Sequence, residues 1–233
     1  MWFKWVGRFG LVAVLLGVLA QLTLIPLAER ALTRAAAQWP AAEVEVRVET
    51  FPPWELLQGR IDTLHIKAKH VRLNDLTLAE LQGELCRVEF SWWAAWLHGG
   101  FNYSFQEPGA IRVMVTEENL AEYLSGRLNL PLQNLAVSIA GNKLQLTASF
   151  TVAGQKLPLL LAGTLVLEQP GTIRLVPERI QVGSFVPGLE LQEKLTGNTS
   201  FQLPLDNLPV KVAFDRLAGG QGQFTLHGLV WTK

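Results

Sequence analysis

The chain has 233 residues, 49% of them hydrophobic, with 20 basic and 20 acidic side chains and a formal net charge of zero. That length and apolar content fit one substantial domain with an attached segment. The charge balance argues against nucleic-acid binding, which needs a basic surface to meet phosphates, and the single cysteine, Cys86, allows neither an internal disulfide nor a thiolate metal site.

The first element is apolar. Phe9 to Leu27 carries no charge and follows Lys4 and Arg8, with Trp2 and Trp5 placed where an interfacial aromatic belt would sit. At ~1.5 Å per residue, a helix over this run nearly spans a ~30 Å hydrocarbon core, which predicts an N-terminal transmembrane helix. A cleaved signal peptide is the competing reading, with Ala35-Ala36-Ala37 as its small-residue site. That site lies well past the apolar run, and the run is longer than a usual signal core. As an anchor, it keeps the short basic tail inside and places the rest of a single-pass protein outside the cytoplasm. Ala28 to Gln38 continues as a helical stalk ended by Trp39-Pro40, so residues 1–40 form anchor and stalk and 41–233 the outer domain.

From Ala41 the pattern has period two. Val44, Val46 and Val48 alternate with charged residues, a strand wet on one face. Phe51-Pro52-Pro53 breaks it, and Trp54 to Leu57 predicts a short helical turn closed by Gly59. Leu64, Ile66 and Ala68 form the next strand, and others are expected at Val71 to Leu78, Cys86 to Phe90 and Ala110 to Val115. Ser91 is placed to cap a short helix, Trp92 to His98, ended by Gly99-Gly100.

Thr116 is the N-cap candidate of the clearest helix, with Glu117 and Glu118 in its first turn and Leu120, Tyr123 and Leu124 on one face. Asn119 stands where a capping box would carry glutamate. A meander follows: Leu135 to Ile139, a Gly141-Asn142 turn, then Leu144 to Val152 with Phe150 on its apolar face. Leu157 to Leu167 has no charge and puts Leu157, Leu159, Leu161, Leu165 and Leu167 on one face, with Leu160, Ala162 and Val166 on the other. An antiparallel strand apolar on both faces needs a cover on each: a helix, a second sheet or an apolar ligand. Ile173 to Leu175, a short helix at Leu189 to Leu195, and strands at Val210 to Phe214 and Phe224 to Val230 complete the chain.

The expected architecture is α+β and mostly β: a long, curved antiparallel sheet wrapped around one or two short helices. The sequence has no G-x-S-x-G, H-E-x-x-H or G-x-x-x-x-G-K, and Gly219 to Gly222 precedes a strand, so it is a turn and not a dinucleotide loop. His65, His70, His98 and His227 form no ligand pattern, and Glu117 and Glu118 diverge by about 100° on a helix. A non-enzymatic protein with no cofactor is the expectation. Trp92, Trp93 and Trp96 either plug one end of the β core or form an apolar mouth that meets lipid.

Three C-terminal segments carry a family resemblance: V-G-S-F-V-P-G-L-E-L (Val182 to Leu191), F-Q-L-P-L-D-N-L-P-V-K-V (Phe201 to Val212) and G-Q-F-T-L-H-G (Gly222 to Gly228). With L-L-Q-G-R-I-D-T-L-H-I (Leu56 to Ile66) and V-T-E-E-N-L-A-E-Y-L (Val115 to Leu124), the chain from Val44 to Trp231 resembles the LmeA-like phospholipid-binding family of bacterial cell-envelope proteins. The resemblance implies an elongated shape like that of tubular lipid-binding proteins and an acyl-chain lipid as partner, with no catalytic motif to carry over. Candidate lipid contacts are then Trp92, Trp93, Trp96, Leu120, Tyr123, Leu124, Phe150, Leu159, Leu161 and Leu165. The alternative is a structural or interaction module of an envelope assembly with a dry core.

Overall fold

The computed structural model describes residues 23–34, 41–73, 75–91, 103–127, 133–152, 155–168, 172–183, 200–202 and 210–232. Helix α1 (23–34) precedes β1 (Glu43–Glu49), a 3-10 helix (Pro53–Gln58), β2 (Arg60–Leu73), β3 (Leu76–Phe90), β4 (Tyr103–Phe105) and β5 (Gly109–Thr116). Then come α2 (Glu117–Arg127), β6 (Gln133–Ala140), β7 (Lys143–Val152), β8 (Gln155–Glu168), β9 (Thr172–Val182), β10 (Ser200–Gln202), β11 (Val210–Gly219) and β12 (Gln223–Thr232). The fold is mostly β and antiparallel, as the alternation predicts. Among the described residues no helix is long and apolar enough to cross a membrane. Residues 1–22 and the helices expected at Trp92 to His98 and Leu189 to Leu195 lie outside the described residues.

One long sheet is the sequence expectation; the described strands form two. The first has the order β1-β2-β3-β5-β12-β11 with β4 on β3, the second β10-β9-β8-β7-β6. The division comes from a long-range return: β12 pairs with β5, Gln223 opposite Thr116 and Val230 opposite Gly109, so the last hairpin rejoins the first sheet after the second is complete. Local periodicity is identical for both partners and carries no record of that choice.

The expected strand Val71 to Leu78 is also corrected, because Leu73 pairs with Leu76 and the chain reverses between them. Asn and Asp, residues 74 and 75, suit such a two-residue turn. The long β2-β3 hairpin changes the parity of its buried residues twice. Leu64 and Ala68 give way to Val71 and Leu73 on one strand, and Leu78 to Leu81 and Leu85 to Val88 on the other. The changes fall at His70 and Arg87, whose φ angles of 52° and 50° turn the side chains over and interrupt the pairing there without shifting the register. Period-two reading fails at such points, which is why one hairpin reads as several short strands.

Helix α2 packs on β3 and β5 of the first sheet and on β6 of the second. Its start is capped as expected: the Asn119 N–H donates to Thr116 Oγ1 at 3.4 Å, and the Thr116 hydroxyl donates back to Asn119 Oδ1. Asn119 thus fills the place that a capping-box glutamate would take. Gly126, expected to end the helix, lies inside it, one residue before Arg127. Leu120 and Tyr123 are each 1% exposed and join the core with Val113, Val115, Phe224 and Leu226.

The sheets meet at two hairpin tips. Gly141 N–H donates to Gly220 O (2.9 Å), and Gly222 N–H donates to Ile139 O (3.0 Å). Gly219 N–H reaches Asn142 Oδ1 (3.0 Å). Glu117 ties helix to tips: its N–H donates to Gly222 O (3.1 Å), and its Oε1 accepts from Ile139 N–H (2.6 Å). The glycine-rich turn is therefore the rivet between the two sheets.

At the opposite edge, the described part of α1 lies against the domain. Ala28 is buried, and Leu24, Ile25 and Leu32 pack against the core. Val48 N–H, on the open edge of β1, donates to Glu29 Oε1 at 3.0 Å. The helix thereby occupies an edge that would otherwise present an unpaired backbone donor to other chains.

Candidate functional site

Strand β8 is central in the second sheet, between β7 and β9. Its two apolar faces meet different surroundings. On one, Leu160 and Ala162 stand between Thr147 and Gln145 of β7 and Gln181 and Arg179 of β9. Polar neighbours half-bury those two residues, and Arg179 Nη2 donates to Gln181 Oε1 along β9. Val166 on the same face is exposed. This is the solvent side, shielded by adjacent polar rows.

The other face turns inward. Near the rivet it is closed: Leu165, Leu144, Ile139, Ile173 and Leu175 are buried together. Toward the far end Leu161 is half-buried against the core, and Leu157, Leu159, Leu135 and Val182 are half-buried beyond it. Leu159 is in register with Val182 and Ala148, so Leu157, Leu159 and Val182 form one patch with Ala148 across three strands. Its side chains are aliphatic, with Ala148 and Ile180 as a buried floor. Such a surface takes up another apolar group. At ~25 cal/mol per Å2, covering roughly 200 Å2 of it contributes about 5 kcal/mol.

The structure separates the residues chosen from sequence. Leu159, Leu161 and Leu165 run along β8 from the open end of the inner face to its closed end. Leu120 and Tyr123 stand in the packed interior between α2 and the first sheet, and Leu124 is half-buried beside them. The side chain of Phe150, and Trp92, Trp93 and Trp96, lie outside the described residues. Leu135 and Val182, absent from the sequence selection, join the patch. Leu135 follows the same alternation as Val137 and Ile139 on the inner face, whereas Val182 pairs with Leu159 only after the bulge at Ala162/Gly163 and is not visible from local alternation.

A concavity of about 430 Å3 lies on the polar face of the first sheet. One cross-strand row lines it: Glu45, Lys67, Gln82, Arg112 and His227, with Arg216 next in register. Gly83 leaves its centre low. Burial, then the charges of Arg112 and Arg216, hold His227 below the usual imidazole pKa, with Asp215 opposing them. An unfolded chain takes up this proton as pH drops past ~6.5, before the folded protein does. Stability is then full above that value and falls as pH passes down through the folded pKa. The melting temperature is expected to drop between pH 7.5 and pH 5, and Arg112→Gln to shrink that drop by removing a repelling charge. Circular-dichroism melts of both chains across that range check it.

The family model described as LmeA-like phospholipid-binding matches residues 18–228. The match begins within the apolar run and takes in α1, so it reaches further toward the N-terminus than the resemblance read from Val44 onward. Neither a curated protein nor a solved structure matches the chain. The match covers most of the sequence, and the chain belongs to the LmeA-like phospholipid-binding family.

Proposed function

We propose that this protein binds a phospholipid non-enzymatically, with an acyl chain against the far end of the inner face of the second sheet and the headgroup at its rim. The observation that carries this reading is the half-buried aliphatic patch of Leu135, Leu157, Leu159, Leu161 and Val182 in a chain of this family. The part of the apolar run that starts at Phe9 and precedes Leu24 and Ile25, which pack on the domain, anchors the protein in the cell membrane, with the domain outside the cytoplasm, and the role is lipid handling or maintenance in the envelope. Trp92, Trp93 and Trp96, in the sequence that follows β3, add indoles suited to a lipid boundary.

The reading is tested by moving the full chain from detergent into an amphipathic polymer and extracting it with organic solvent. About one phospholipid per chain, above the amount held by a control single-span protein in the same polymer, is the expected result. An equal amount in both preparations would contradict lipid binding by the domain.

A further inference from the structure

The loop between β1 and β2 exposes three large apolar side chains: Phe51 (77%), Trp54 (53%) and Leu57 (64%). A loop usually turns such residues inward or replaces them by polar ones. This one is also held firmly. Phe51 N–H donates to Asp62 Oδ2 (2.8 Å), and Asp62 N–H donates to Thr50 Oγ1 (3.3 Å). Pro53 and Leu56 are buried beneath the 3-10 helix. Gly59 ends it at φ 79°, so close to β3 that a Cβ would lie 2.0 Å from Phe90 O. The apolar tips are therefore presented by a rigid platform.

Their position follows from the chain's reach. Glu29 of α1 bonds to Val48 near the end of β1, whereas Ala42, fixed at the start of β1 by its N–H to Lys69 O, lies about 20 Å back along the strand. Only residues 35–41 join the end of α1 to Ala42, and they span about 28 Å at full stretch. A helix pointing onward past Val48 would use up all of that length. A helix antiparallel to β1 carries residue 34 back toward Ala42 and leaves slack. The N-terminal end of α1 then points past Val48, toward the end of β1 from which Phe51 to Leu57 project. Leu27, 66% exposed, sits on that half of the helix.

We infer that Phe51, Trp54 and Leu57 form a second membrane contact, dipping into the interface of the bilayer that holds the apolar run and fixing the tilt of the domain on it. Indole and phenyl groups suit that depth, and a rigid loop loses little entropy on entering it. The inference rests on the anchor reading of the apolar run that starts at Phe9, and the experiment separates the two.

The full chain, with Cys86→Ala and a fluorophore on Leu57→Cys, is reconstituted into phosphatidylcholine–phosphatidylglycerol vesicles, beside a control labelled at Lys143→Cys in the second sheet. Flotation reports the anchor, and quenching by lipids doxyl-labelled near the headgroup reports the loop. The expected result is flotation of both, with quenching at position 57 at least threefold that at 143. Flotation with equal quenching overturns the loop contact and leaves the anchor standing; absence of flotation overturns both. Hydrogen exchange of the unsubstituted chain is the check that needs no cysteine. Amides of residues 54–58 should slow severalfold with vesicles while those of 143–147 do not, and equal behaviour overturns the inference.

Discussion

Gly219→Val should remove most of the protein's stability. A Cβ at this position would lie 1.8 Å from Gly141 O, 2.0 Å from Gly141 C and 2.6 Å from Asn142 N. All three atoms are backbone, so no side chain can swing aside. The tips of β6-β7 and β11-β12 would have to part, breaking the hydrogen bonds that Gly220, Gly222 and Asn142 make across the joint. A loss of about 3 kcal/mol or more is expected, on the order of 10 °C in melting temperature for a domain of this size. Gly126→Ala is the contrast: nothing lies within 4 Å of its Cβ position, and it sits inside α2. That change should be neutral or stabilise by about 0.5–1 kcal/mol. Circular-dichroism melts of both variants in the same detergent check the pair.

Leu159→Asp should weaken phospholipid binding at least tenfold, about 1.4 kcal/mol or more. The carboxylate would stand in the half-buried aliphatic patch opposite Val182 and Ala148, where a bound acyl chain would strip its water without offering a hydrogen bond. Val166→Asp, on the solvent face of the same strand, should leave affinity unchanged. Leu165→Asp puts a charge at a position 2% exposed and should unfold the protein outright. Titration with a fluorescent phospholipid separates these outcomes: an affinity change only at the open end of the inner face, stability loss only at the closed end.

Much of this fold can be read in the sequence where one strand has one wet face. The β1, β7 and β12 alternations, the Gly141-Asn142 turn and the Thr116 cap all follow from side chains within a few residues of each other. Strand-to-sheet assignment does not, because β5 accepts β12 more than a hundred residues later on the strength of shape and hydrogen bonding that local pattern does not encode. His70 and Arg87 hide the continuity of the long hairpin for a related reason, since a single positive φ reverses which parity points inward.

The site shows the same limit. That β8 is apolar on both faces is plain from Leu157 to Leu167, but the sequence leaves open what meets each face. One turns out to be shielded by Gln145, Gln181 and Arg179 from the neighbouring strands, and the other is divided between a closed end and an open one. Leu120 and Tyr123 are legible as one face of α2, and that face fills the interior between helix and sheet. Phe51, Trp54 and Leu57 are legible as residues, but their exposure depends on Gly59 docking against Phe90.

The central claim is that an acyl chain lies on the open end of the inner face of the second sheet. It is tested most directly by reconstituting the unsubstituted full chain with a phospholipid carrying a diazirine near its acyl terminus, irradiating, and mapping the adducts by tandem mass spectrometry. Adducts on the β8 peptide at Leu157, Leu159 or Leu161 and on Val182 of β9, with none at Val166 or Val176, are the expected result. Labelling confined to residues 9–27 and the loop at Phe51 to Leu57, with β8 and β9 unmodified, would contradict it.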